Sequence, residues 1–198
     1  MMKNQTRYGI ALLAIIVIVT GALFYLFQPQ FGQDTEEQAI EQIELATVFE
    51  STVFRFRYPE DWQHQIPQTN MLFLASPDVL RQQAGATVTI QRSIRLSAEA
   101  DTLEAALDFY LERGPLRADR DWAIVEAAQS ITFDDREALT VVLEGAEVEG
   151  TTLMRSEIYI TQSNNNLIYV FSVTAPQAQW DSIEATFSAI LDSVTILE

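Results

Sequence analysis

Carboxylates are the groups with the numbers and spacing to do chemistry in this 198-residue chain, which holds 28 Asp and Glu, 12 Lys and Arg, one His and no Cys. Three local clusters stand out: Asp134-Asp135 with Glu137, Asp119 with Asp121, and Glu144 with Glu147 and Glu149. Oxygen donors of this kind suit a hard divalent cation, or pair as general acid and base. None of the clusters has the spacing of a calcium loop, and acids in turns are cheaply solvated, so solvated turns are expected. Asp134, Asp135 and Glu137 remain as the candidate ligands for a weakly bound divalent cation, and no other cofactor is expected.

Elimination removes most other chemistries. Without Cys there is no disulfide, no thiolate nucleophile, no zinc–thiolate site and no acylated lipoprotein cysteine. No lysine follows Lys3, so Gly145-Ala-Glu-Val-Glu-Gly150-Thr-Thr has phosphate-loop spacing without the lysine that loop requires. A glutamate pair in such a loop would also face the phosphates, and an acidic turn is the better reading. His64 is the single imidazole, which rules out a multi-histidine metal centre. No Gly-x-Ser-x-Gly elbow exists, and Ser76, Ser93 and Ser130 stand in no nucleophile context, so His64 reads as a surface histidine near a turn. No catalytic residue is assigned, and a carboxylate-based hydrolase is the remote alternative.

The N-terminal part decides where these groups sit. Ile10 to Phe27 (IALLAIIVIVTGALFYLF) is eighteen residues without a charge. As a helix it spans roughly 27 Å, close to the hydrocarbon thickness of a bilayer. A cleaved signal peptide has a shorter apolar part and a small-x-small cleavage site, whereas cleavage at Gly21-Ala22 would leave a greasy new terminus. Lys3 and Arg7 precede the run and no cation follows it until Arg55, so the N-terminus stays cytoplasmic and the rest is extracytoplasmic. The expected division is a cytoplasmic tail (1–9), a transmembrane anchor (10–27), an acidic stalk (28–46) and one extracytoplasmic domain (47–198). The ten cations beyond the anchor face all 28 acids, a formal charge of −18. Such a surface repels nucleic acid and anionic lipid headgroups and suits basic proteins or metal ions better, and it also serves simply to keep an exported domain soluble.

The stalk carries Pro29 and Gly32 as breakers, then Asp34-Thr-Glu-Glu37 in capping-box form. From Phe49 the apolar period becomes two. In FRFRYPEDW (Phe54 to Trp62), Phe54, Phe56 and Tyr58 point one way and Arg55 and Arg57 the other, until Pro59 ends the strand. Glu60-Asp61 then occupy a turn and Trp62 returns to the core. Ala86, Val88, Ile90, Ile94 and Leu96 repeat the alternation, and further strands are expected at Ile124–Phe133, Leu139–Leu143, Leu153–Thr161 and Leu167–Val173. Ser163-Asn-Asn-Asn166 joins the last two as a hairpin, and Leu167 to Val173 is apolar on both faces, as a central strand covered on both sides is. Two amphipathic helices complete the set. One follows Thr102 with Leu103, Ala106, Leu107, Tyr110 and Leu111 on its stripe and stops at Gly114-Pro115; the other is capped by Thr174-Ala-Pro-Gln177, with Trp180, Ile183, Phe187, Ile190 and Leu191.

The motif Phe54 to Trp62, the helix Thr102 to Glu112 and the closing FSVTAPQAQWDSIEATFSAILDSVTI (Phe171 to Ile196) together resemble the PsbP/Mog1/DcrB-like domain family. The resemblance covers nearly the whole exported part, and the chain departs from it in having Asp134-Asp-Arg136 where a mid-domain glycine turn is usual. It implies an α/β/α sandwich (α+β class) around an antiparallel-rich sheet, with a short last strand at Ser193-Val-Thr-Ile. It also implies an accessory, protein-binding role without family catalytic residues, some members binding metal ions. The expected function is thus a non-enzymatic, single-pass membrane-anchored domain that binds a protein partner or assists a membrane complex. An exported sensor of a small ligand or divalent cation is the alternative.

Overall fold

The computed structural model describes residues 43–68, 70–114, 122–146 and 152–197. The anchor Ile10–Phe27, all of the stalk before Ile43, and Asp119, Asp121, Glu147 and Glu149 lie outside the described residues. Among the described residues no helix is long and apolar enough to cross a membrane.

Two antiparallel sheets build the body. Strands β1 (Thr47–Glu50), β2 (Phe54–Tyr58) and β10 (Thr195–Ile196) form a small sheet with β2 in the middle. The large sheet contains β3 (Gln63–Gln68), β4 (Met71–Ala75), β5 (Thr87–Ser93), β6 (Ala123–Phe133), β7 (Arg136–Ala146), β8 (Leu153–Gln162) and β9 (Ile168–Pro176), in the order β3-β4-β5-β9-β8-β7-β6, with the short helix α1 (Pro77–Leu80) between β4 and β5. The expected single sheet is therefore corrected to two. The FRFRY strand lies in the small one, because β1 and β10 occupy both its edges.

β9 divides two cores. Its Tyr169, Phe171, Val173 and Ala175 face one, where α4 (Trp180–Asp192) lays Trp180, Phe187, Ile190 and Leu191 beside Phe54, Phe56 and Tyr58 of β2. Ile168 and Val170 face the other, covered by α2 (Ile94–Glu99) through Leu96 and by α3 (Leu103–Arg113) through Ala106, Leu107 and Tyr110. This is the helix–sheet–helix layering expected of a central strand apolar on both faces. Leu45, assigned to the stalk from sequence, packs against the first core.

Local chemistry sets the element ends. The Thr102 hydroxyl accepts from Ala105 N–H at 3.1 Å and caps α3. In the hairpin after β8, Asn166 takes φ 60° and Ser163 N–H donates to Leu167 O at 2.9 Å. Two further expectations are corrected. Ile94 and Leu96 do not continue β5, because the Ser93 hydroxyl accepts from Leu96 N–H at 3.3 Å and starts α2. Thr174 does not cap the last helix: it lies within β9, bonded through its hydroxyl to Ser156 Oγ at 2.9 Å, and α4 begins only at Trp180 after a 3-10 turn. β3 and β4 were not foreseen. β3 (QHQIPQ) is exposed throughout and carries Pro67 on a sheet edge, so it shows no apolar alternation.

Candidate functional site

The most chemically distinct surface grows from β2. Phe54, Phe56 and Tyr58 are buried and Arg55 and Arg57 exposed, so one face of the strand is sealed in the core while the other carries two cations. Pro59 O accepts from Trp62 N–H at 3.2 Å, closing the turn that exposes Glu60 and Asp61. Trp62 returns to the core, 6% exposed, and meets the Phe187 ring edge-on at 6.2 Å and 89°. The register sets Val48 opposite Arg57, and both Glu50 and Thr195 opposite Arg55. Together with Ser193 these residues line an open groove of about 410 Å³. The Ser193 hydroxyl accepts from Arg57 N–H at 2.8 Å and fixes that backbone to the end of α4. The alternation in FRFRY exposed the two arginines to sequence reading, but Val48, Glu50, Ser193 and Thr195 join them only through strand pairing.

The candidate cation ligands are placed differently. Asp134 and Asp135 are the two turn residues between β6 and β7, with φ 49° and 59°, the left-handed pair that a two-residue hairpin needs. The Asp134 carboxylate is held by the Arg136 guanidinium and accepts from Ile196 N–H at 2.9 Å. It clamps the large sheet to β10 of the small one. Asp135 and Glu137 are exposed. Among the described residues no three His, Asp or Glu side chains are grouped so as to hold a metal ion.

The remaining singled-out residues are engaged structurally. His64 lies within β3, where Tyr58 and His64 share a hydrogen bond between Oη and Nδ1 at 2.8 Å. Ser76 Oγ accepts from Ala86 N–H at 3.0 Å, Ser93 caps α2, and Ser130 is exposed on β6. Gly145 lies under the Trp122 ring, where an added Cβ would sit 2.6 Å from ring carbons, so this glycine serves close packing. Glu144 joins Glu126 around Arg155, at 3.5 and 2.6 Å, while that guanidinium stands 5.1 Å over the Trp180 ring and links β6, β7 and β8 to α4. A smaller cavity of about 190 Å³ lies between β5 and α3, lined by Gln91, Ser93, Leu96, Phe109, Tyr110 and Arg113. Burial pushes the Tyr110 hydroxyl up to about 12, opposed by its hydrogen bond with Ser172. Burial also raises Tyr159, helped by the charge of Glu157, Asp192 and Glu184.

Solved structures share this architecture. A protein from Bacteroides thetaiotaomicron aligns with a TM-score of 0.54 and 14% identity over 78% of this chain and 50% of that one, so the chain spans about half of that protein's length. Cyanobacterial PsbP (CyanoP) from Synechocystis aligns with a TM-score of 0.52 and 13% identity, over 76% of this chain and 91% of that one. A variant of Mog1 gives 0.51 and 8%, over 77% and 96%. No protein-family model matches the chain, and no curated protein matches it. The chain has the PsbP/Mog1-like fold.

Proposed function

We propose that this PsbP/Mog1-like chain is a non-enzymatic, single-pass membrane protein whose extracytoplasmic domain binds a protein partner or assists a membrane complex. The observation that carries the binding role is the outer face of the small sheet. It presents an open groove with two exposed arginines, while the inner face of the same strand is sealed in the core. A rigid strand face with protruding polar groups suits a partner surface, whereas a small-molecule site is usually a concave cavity that encloses its ligand. The imidazole of His64 is bonded to Tyr58 rather than to a serine, which supports a non-catalytic role. The family resemblance implies the same accessory role.

Anchoring rests on Ile10–Phe27 and on Lys3 and Arg7 before it. Protease added outside intact cells should digest the body and leave an anchored fragment with its original N-terminus. A mature N-terminus near Leu23, or a body protected from external protease, would contradict the anchor and its orientation.

A further inference from the structure

We propose that the outer face of β1, β2 and β10 is a docking strip for an extended segment of the partner protein, with two carboxylates spaced two residues apart pairing with Arg55 and Arg57. This rests on the partner-binding reading and names the partner's chemistry. Arg81, Arg136 and Arg155 each have a carboxylate within ion-pair distance. Neither Arg55 nor Arg57 has an ion pair or side-chain hydrogen bond among the described residues. In a chain of formal charge −18 beyond residue 27, acids abound, yet these two guanidiniums are left open to a ligand.

Their spacing selects the ligand's form. Residues i and i+2 on one strand face stand about 6.5–7 Å apart, and the side chains of an extended peptide repeat at the same distance. A carboxylate-x-carboxylate segment laid along β2 therefore sets one carboxylate against each planar guanidinium fork. Val48, 54% exposed and opposite Arg57, offers apolar contact to a neighbouring side chain of the segment. Glu50, opposite Arg55, weakens the attraction there and repels any further acid, so Arg57 is the stronger anchor. The Ser193 hydroxyl holds the Arg57 backbone rigid before binding, which lowers the ordering cost. Polyanions and anionic membranes are disfavoured because the surrounding negative field repels them before two arginines can act. A segment with only two local acids among neutral or basic residues escapes that repulsion.

The test is fluorescence anisotropy on the full-length chain in detergent micelles. The probe is a labelled Lys-Thr-Asp-Val-Asp-Thr-Lys peptide, and its Asn-for-Asp counterpart is the control. The Asp peptide should bind, the Asn peptide should bind at least tenfold more weakly, and salt should weaken the Asp complex. Arg55→Gln with Arg57→Gln should lose at least tenfold in affinity, Arg57→Gln alone more than Arg55→Gln alone, and Arg81→Gln nothing. An unchanged melting temperature of the double variant shows that the fold is kept. No binding of the Asp peptide, equal binding of the Asn peptide, or undiminished binding by the double variant would overturn the proposal. So would double-variant-sensitive binding of inorganic phosphate or phosphatidylglycerol vesicles in place of the peptide. A partner protein still retained by the double variant would remove the strip while leaving the partner-binding function in place.

Discussion

Trp62→Ala should destabilise the body by about 3–5 kcal/mol, the cost of deleting a large buried ring and leaving a cavity that closes only in part. Trp62 is 6% exposed and belongs to the core shared by Leu72, Leu74, Phe187 and Leu191. Its edge-on contact with Phe187 adds to the loss. The neighbouring acids are the control: Glu60→Gln with Asp61→Asn should stay within about 0.5 kcal/mol, because both are exposed in the turn. Urea melts followed by tryptophan emission compare the variants. A near-neutral Trp62→Ala with a red-shifted contribution from that ring would mean that the motif opens toward a ligand instead of closing the core.

Asp134→Ala should cost about 2–3 kcal/mol, since it strips a charge-assisted partner from Arg136 and the acceptor from Ile196 N–H in a half-buried setting. Asp134→Asn should cost less than half of that, because its amide oxygen still accepts from Ile196. Thermal or urea unfolding measures both. A carboxylate serving only as a cation ligand behaves in the opposite sense: without the cation, its removal relieves repulsion and leaves stability unchanged or raised. An unaltered Asp134→Ala melt would therefore contradict the clamp between the two sheets.

Where apolar periodicity was strong, the sequence was readable. The alternation Phe54, Phe56, Tyr58, the doubly apolar β9 and the stripe Trp180, Phe187, Ile190, Leu191 all lie in the cores they imply. Local capping and turn chemistry were readable too, at Thr102 and at Ser163–Asn166. The losses came where a hydroxyl had two uses. Ser93 caps a helix inside an apparent strand pattern, and Thr174, which looks like a cap, bonds to Ser156 across the sheet. β3 left no trace because an exposed edge strand needs no apolar face. The site was half legible. Arg55 and Arg57 advertised themselves by alternation, but the groove depends on Ser193 and Thr195, brought alongside by the β2–β10 pairing. Asp134 was visible as an acid in a turn, while its partner Ile196 is 62 residues away.

The central proposal is that the domain beginning at residue 43 holds a protein partner. Quantitative co-purification of the full-length chain from mildly solubilised membranes tests it most directly, with a chain of residues 1–46 alone as the control for the proposed anchor. A protein retained in near-equimolar amount by the full-length chain and absent from the anchor control is the predicted result. The same proteins in both samples, or none in either, would contradict the claim.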